Sequence, residues 1–199
     1  MRQLIIATNN YGKIKEIKQI LKDIPFKLKT LKEIGNQSEV EETGKSFEEN
    51  AILKAKIVGD KTQILTLSED SGLEVDYLSG KPGIYSARYT EGTDLDRINK
   101  VLNELKNIPR EKRTARFRSI IAIYNPVTKK IQTFEGLAQG YITNQPLGDN
   151  GFGYDPIFFS SDLKKTFGQA IDGEKNEVSH RAKALEKAKT KLLDKSFLK

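Results

Sequence analysis

Two short runs of this chain hold residue types suited to gripping a polyanion and a divalent cation: Thr8-Asn9-Asn10-Tyr11-Gly12-Lys13 and Ser68-Glu69-Asp70-Ser71-Gly72. The first falls between an apolar run and a helical pattern. Free backbone N–H groups and the helix dipole favour an anion at such a position. Gly12 allows close backbone approach and Lys13 supplies a point charge. The G-x-x-x-x-G-K-[ST] spacing of a Walker loop is absent. A capped helix start with a surface lysine fits the same residues. The second run is read at the carboxyl end of a buried strand, where open α/β sheets place ligands. Adjacent side chains on a strand point to opposite faces, so one carboxylate faces any given ligand. A turn that uses Asp and Gly for its geometry is the competing account.

Three further groups gain meaning only beside these. Glu41-Glu42-Thr43-Gly44 is a solvated acidic turn unless it folds against Asp70. Two carboxylates, phosphate oxygens and water would then complete an octahedral Mg²⁺ shell. Gly151-Phe152-Gly153-Tyr154-Asp155-Pro156 flanks an aromatic with glycines, which suits either a ring presented to a nucleobase or a tight turn around a core residue. Lys175 precedes Ser179-His180-Arg181 at the expected start of the last helix. Cations are disfavoured there by the dipole, so an anion or acceptor is expected nearby.

The elements that must position these residues follow from periodicity. Residues 3–8 read as a buried strand and 26–31 as a second. Between them Ile14, Ile17, Leu21 and Ile24 mark a helix stopped by Pro25. Residues 33–45, including Gly35, Asn36 and Gly44, read as a loop. Ser46-Phe47-Glu48-Glu49 is a capping box opening a helix that carries Phe47, Ala51, Leu53, Lys54 and Val58. Asn50 and Lys54, four apart, share a face of it. Ile64 to Leu67 is a strand ending at the acidic group. Thr93 caps a helix with Leu95, Ile98, Leu102 and Leu105 inward. Segments 114–125 and 131–142 form a hairpin around Asn125-Pro126. A Gly-rich stretch over 148–156 precedes a last helix from about 178, with Ala182, Leu185, Ala188 and Leu192 on one face. The pattern predicts an α/β fold with a mixed central sheet flanked by helices, as a single domain over 1–199 with two lobes and a cleft between them.

Composition narrows the chemistry. With no cysteine and one histidine among 199 residues, thiolate and His-rich metal sites are excluded, and any metal must sit on oxygen ligands, as Mg²⁺ or Mn²⁺ do. The formal net charge of +7 suits an anionic partner, but the lysines are scattered as on a solvated surface. Neither a nucleic-acid partner nor a membrane is expected, since no apolar run approaches ~20 residues. The N-terminal apolar stretch is too short for a signal peptide, which points to the cytoplasm.

The ordered set Thr8-x-Asn10-x-x-Lys13, Glu41-Glu42-Thr43-Gly44, Asn50-Ala51-x-x-Lys54-Ala55, Asp70-Ser71-Gly72-Leu73, Pro82 to Tyr89, Gly151 to Phe158 and Ser179-His180-Arg181 resembles the inosine triphosphate pyrophosphatase (HAM1-like) family, in particular its bacterial XTP/dITP diphosphatases. The resemblance runs from residue 4 to about residue 190. It implies Mg²⁺-dependent hydrolysis of ITP, dITP and XTP to the monophosphate and pyrophosphate by a homodimer. By motif, Thr8, Asn9, Asn10, Tyr11, Gly12, Lys13 and Lys54 would grip the triphosphate. Glu41 and Asp70 would hold the metal, with Asp70 as general base, and Ser71 would touch the phosphates. Phe152 would stack on the base, with Gly153, Tyr154, Asp155, Lys175, His180 and Arg181 completing the pocket. Arg181, a donor only, would select a 6-oxo purine. Glu69 stands where many bacterial members have Asp. The rival readings are a Maf-like pyrophosphatase, whose N-terminal loop carries Ser-Pro-Arg-type residues instead of Asn10-x-x-Lys13, and a non-catalytic nucleotide- or RNA-binding protein.

Overall fold

A computed structural model describes residues 2–35 and 40–194. Asn36, read as part of a loop, lies outside the described residues. Seven strands form one sheet in the order β2-β1-β3-β4-β5-β6-β7. They are β1 (Arg2–Ile6), β2 (Phe26–Thr30), β3 (Thr66–Val75), β4 (Thr114–Tyr124), β5 (Ile131–Ile142), β6 (Phe158–Ser160) and β7 (Lys165–Thr166). The sheet is mixed: β1 runs parallel to β2 and β3, while β5/β6 and β6/β7 are antiparallel. The helices are α1 (Tyr11–Ile20), α2 (Phe47–Thr62), α3 (Asp94–Glu104), α4 (Asp172–Val178) and α5 (His180–Leu193).

The chain divides into two compact units, 1–70 with 119–136 and 181–199, and 71–118 with 137–180. In the first, Leu4, Ile6 and Leu67 of β1 and β3 pack with Ile17 of α1, Leu21 just after it, and Ala184, Leu185, Ala188 and Leu192 of α5. Parallel strands buried on both faces need continuous apolar runs, which Leu4-Ile5-Ile6 provides. In the second, Leu73 and Val75 meet Ile98, Val101 and Leu105, together with Phe117, Phe158 and Phe167. The rings of Phe117 and Phe158 meet edge-on at 4.7 Å, a favoured aromatic geometry.

Most expected elements form, with instructive departures. The strand read as ending at Leu67 continues through the acidic group to Val75, so Glu69 and Asp70 sit mid-strand. Salt links and hydrogen bonds compensate the polar side chains that end the apolar run. Leu95 is exposed rather than inward, because the apolar stripe of α3 starts one turn later with Ile98 and Val101. Ser46 caps α2 by accepting from Glu49 N, but the Glu49 carboxylate takes the Lys45 N–H at 2.8 Å instead of closing the box on Ser46. A separate helix, α4, precedes the last one and ends at extended Ser179. Its sequence, Asp-Gly-Glu-Lys-Asn-Glu-Val, has no apolar stripe that could announce it.

Gly59 of α2 illustrates how packing overrides propensity. Alanine is favoured over glycine inside a helix by about 1 kcal/mol. A Cβ at Gly59, however, would stand 2.6 Å from Cδ1 of Tyr124, whose hydroxyl is anchored on Asp60 at 2.7 Å. We expect Gly59→Ala to destabilise the protein by about 1–3 kcal/mol in denaturant titration. A gain in stability would show that the Tyr124 ring yields freely.

Candidate active site

Thr8, Asn9 and Asn10 lead from β1 into α1. Asn10 is the N-cap, its side chain accepting from Lys13 N at 3.0 Å. Thr8 Oγ1 in turn accepts from Asn10 N at 3.2 Å. These two bonds fix the turn and leave Asn9, Asn10 and Tyr11 exposed, with Gly12 and Lys13 partly covered. The Lys13 ammonium reaches back to Glu69 Oε2 at 3.1 Å.

Asp70 is held from α2. Asn50 Nδ2 donates to Asp70 Oδ2 at 3.2 Å, and Lys54 Nζ donates to Asp70 Oδ1 at 3.0 Å. Asn50 and Lys54 act together because four residues bring them onto one helix face. The Asn50 amide is oriented by Gly44, whose N–H donates to Asn50 Oδ1 at 2.8 Å. Gly44 has to be glycine: a Cβ there would lie 2.6 Å from that same oxygen. Lys54 Nζ also contacts Glu42 Oε1 at 2.6 Å. The acidic loop therefore does fold against Asp70, but the carboxylate brought there is that of Glu42, while Glu41 is exposed. The local path of this irregular segment decides which of two neighbouring glutamates turns inward, and the sequence does not reveal it.

Burial raises the Asp70 carboxyl above its ordinary value; Lys54 and Lys13 pull it down and Glu42 pushes it up. Burial opposes the charge on Lys54, yet Asp70 and Glu42 outweigh it and hold the ammonium above its usual range.

Glu69 faces the other way. It is fully buried and accepts from Ser119 Oγ at 2.8 Å and from Arg181 Nε at 3.1 Å. Arg181 pairs also with Glu16 of α1 through Nη1, and its Nη2 lies 3.0 Å from Glu69 Oε1. Burial works against this guanidinium, but Glu69 and Glu16 more than offset it and raise its pKa. The anion expected opposite the cationic start of α5 is thus two carboxylates of the protein itself. The expectation that Arg181 reads a purine 6-oxygen meets a fork already committed to Glu16 and Glu69.

In the second unit, Asp155 organises the glycine loop. Its Oδ2 accepts from Phe152 N at 2.9 Å and from Lys175 Nζ at 2.5 Å. Gly151, at φ +77, leaves the space: a Cβ would fall 2.0 Å from that oxygen. Gly153 N donates to Asp94 Oδ2 at 2.8 Å. Phe152 is half-buried, with Lys175 Nζ 4.9 Å from its ring centroid. Tyr154 is a core residue whose hydroxyl donates to the Ser86 carbonyl at 2.9 Å. Burial raises its pKa. His180 stacks on Phe117 at 4.7 Å, and Ser71 is half-buried in β3.

Glu16 and Ser119 escape the reading from sequence, and Glu42 enters it only as part of the acidic turn, with the metal role given to Glu41. Glu16 had one usable signal, an acid three residues after Lys13 on the apolar side of α1, beside Ile17. Ser119 had none, since its role depends on strand pairing with β3.

Arg181→Leu leaves Glu16 and Glu69 buried without their cation, so it should cost about 3–5 kcal/mol of stability. A variant as stable as the parent in thermal unfolding would contradict that role. For Asp70 the folded pKa lies above the unfolded value of about 3.9. The folded protein then binds this proton more tightly, so the carboxyl supports the fold below that value. The support is lost as pH rises through the folded pKa. Metal-free Asp70→Asn should therefore melt higher than the parent at pH 7, with the gap closing below about pH 4. A lower melting point at pH 7 would contradict the assignment of burial as the dominant cause.

Comparison with known proteins bears on the whole chain. The model of the Ham1 family matches residues 4–191. A protein of Bacillus subtilis named dITP/XTP pyrophosphatase is 49% identical over 98% of this chain and 98% of its own length. Its Bacillus licheniformis counterpart of the same name is 47% identical over 98% of this chain and all of its own length. Among solved structures, a HAM1 protein from Coxiella burnetii superposes with a TM-score of 0.87 at 37% identity, over 96% of this chain and 98% of that one. The Staphylococcus aureus Ham1 protein does so with a TM-score of 0.85 at 39% identity, over the same shares. With the family model covering all but the ends and the relatives aligned nearly end to end, this chain belongs to the Ham1 family.

Proposed function

We propose that this chain hydrolyses deaminated purine nucleoside triphosphates, namely dITP, ITP and XTP, to the monophosphate and pyrophosphate. One observation carries the reading: in a Ham1-family chain, Asp70 is held by Asn50 and Lys54 with a second carboxylate, Glu42, on the same ammonium. The whole chain, 1–199, acts as one nucleotide pyrophosphatase domain of two lobes, working in the cytoplasm as a homodimer.

The residues fit a divalent cation. Lys54 Nζ contacts both Asp70 and Glu42, so two hard oxygen donors already converge on one positive charge. Among the described residues no group of three His, Cys, Asp or Glu side chains could hold a metal ion. Asp70 and one glutamate of the acidic turn, Glu42 or the more exposed Glu41, would thus share the ion with phosphate oxygens and water, as suits Mg²⁺ or Mn²⁺. Such an ion, when bound, polarises the phosphoryl oxygens and stabilises the leaving pyrophosphate.

Thr8 to Lys13 and Lys54 bind the triphosphate, through backbone N–H groups at the start of α1 and two ammonium charges. Asp70 orients the attacking water and takes up its proton. Water attacks the α-phosphorus, the bond to the bridging oxygen breaks, and pyrophosphate departs. Ser71 contributes a phosphate contact. The base stacks on Phe152 within the pocket of Gly153, Tyr154, Asp155, Lys175 and His180.

A panel of ITP, dITP, XTP, ATP and GTP, with and without Mg²⁺, tests the reading by pyrophosphate release. The 6-oxo, deaminated substrates should be cleaved far faster than ATP, and only with the metal. Asp70→Asn should lower that turnover by roughly 10³-fold while remaining folded. Release from pyrimidine or modified nucleotides alone would favour a Maf-like activity. Salt-steep oligonucleotide binding without any pyrophosphate release would favour a nucleic-acid-binding protein.

A further inference from the structure

Four Lys and Arg side chains are buried among the described residues: Lys54, Arg113, Lys175 and Arg181. Three of them meet carboxylates, Lys54 with Asp70 and Glu42, Lys175 with Asp155, and Arg181 with Glu16 and Glu69. Arg113 differs, because its guanidinium donates only to uncharged oxygens. Nε donates to the Ile142 carbonyl at 2.8 Å, and Nη1 to the Asn144 side-chain oxygen at 2.6 Å and the Leu105 carbonyl at 3.4 Å. Nη2 donates to the Thr143 carbonyl. Burial lowers the pKa of this group, with no neighbouring acid to oppose it. Buried charges are ordinarily paired, since neutral acceptors replace only part of the lost hydration.

The same residue lines a cleft of about 520 Å³ in the second unit, within the size range of small-molecule sites. Asn99, Asn103, Lys106, Asn107 and Asn144 make up most of the remaining wall. Leu102 is the single apolar lining residue, and no acid is among them. Asn99 and Asn103, four apart in α3, share one face of that helix. Lys106 and Asn107 form the turn beyond it, with Asn107 at φ +64, a left-handed conformation that asparagine tolerates. Asn144 turns its oxygen to Arg113, which leaves its amide nitrogen to donate elsewhere. The carboxyl end of a helix carries about half a negative charge, and the charges of Arg113 and Lys106 outweigh it.

We propose that this cleft is a second ligand site, for a phosphate-bearing small molecule whose oxygens meet Lys106, the remaining Nη2 hydrogen of Arg113 and the amides of Asn103 and Asn144. Lysine supplies a point charge to a phosphate, and asparagine amides donate to its oxygens. The site stands apart from the groups assigned to hydrolysis. Gly153, one of those groups, is bonded to Asp94 at the opposite end of α3. Nine residues of helix separate Asp94 from Asn103, a span of about 14 Å. The inference therefore does not rest on the hydrolytic reading.

Inorganic phosphate is the probe, titrated into the metal-free full-length protein and followed by ¹⁵N NMR of the asparagine side-chain amides and the arginine Nε–H. The signals of Arg113, Asn103 and Asn144 should shift along one saturating curve, with a Kd of about 1 mM or tighter. Residue resolution separates them from any response of the Asn10 and Lys13 backbone amides. Sodium chloride at matched ionic strength should leave the three signals in place. Lys106→Met keeps the stem, removes an exposed charge, and should weaken binding about tenfold. Shifts that do not saturate, that chloride reproduces, or that Lys106→Met leaves unchanged would overturn the proposal.

A second variant tests the unpaired charge itself. Asn144→Asp supplies a carboxylate within reach of Nη1 of Arg113. It should raise the melting temperature by about 2–5 °C and weaken phosphate binding by about tenfold or more, because the anion then meets a cation already paired. Phosphate affinity equal to the parent's, or a melting temperature below it, would refute the role of Arg113. A parent that cleaves no nucleotide yet shows both responses contradicts the hydrolytic reading and leaves this site standing. An active enzyme without these responses loses this site alone.

Discussion

Glu69 and Asp70 are consecutive residues of one buried strand, so their carboxylates must leave it on opposite faces. Neither can be buried as an anion without cations of its own. The surrounding structure meets that demand twice. On one side Arg181, Lys13 and Ser119 surround Glu69, with Glu16 completing the charge balance of Arg181. On the other, Lys54 and Asn50 hold Asp70. The two sides differ in one decisive way. Glu69 is fully buried and shares the Arg181 guanidinium with Glu16, whereas Asp70 retains 5% exposure and a carboxyl pKa that burial raises. A buried ion-pair network fixes geometry, while a carboxylate whose pKa is raised by burial holds its proton more tightly than a free one. Under the proposed function, structure and chemistry are divided between these neighbours.

The same strand ties the loop between β1 and α1 to the acidic group. Lys13 lies on the first turn of α1, Glu16 one turn later, and both end in the Glu69–Arg181 network. A helix that rotated or slid would break the partly covered Lys13–Glu69 pair and the buried Glu16–Arg181 pair together. Removing one partner of such a pair costs several kcal/mol, so the loop is held to the acidic strand more firmly than hydrogen bonds at its own turn would hold it. In the second unit Asp155 plays a comparable part on a smaller scale, gathering Phe152 and Lys175 around one carboxylate.

Much of this was legible in the sequence, for physical reasons that differ by residue. The capped start of α1 and the shared face of Asn50 and Lys54 depend on spacing within a few residues, which sequence displays directly. Opposite orientation of Glu69 and Asp70 follows from strand geometry alone. What could not be read depends on partners distant in the chain. Arg181 carries the same letters whether it meets a purine or two carboxylates, and only the fold supplies Glu16 and Glu69. The turn inward of Glu42 in place of Glu41 is a matter of phase in an irregular segment. The break before α5 and the helix α4 leave no apolar period to detect. The continuation of β3 past Asp70 was masked because the charged and small residues at 69–72 imitate a turn, although Leu73 and Val75 resume the buried alternation.

The most direct measurement of the division between these two carboxylates is the fate of the water that attacks. Hydrolysis of dITP in ¹⁸O-water, read by ³¹P NMR isotope shifts, locates the bond that is made. Water presented by Asp70 to the α-phosphorus places the label in the nucleoside monophosphate and none in the released pyrophosphate. Label in pyrophosphate, or release of orthophosphate as the primary product, would contradict the account.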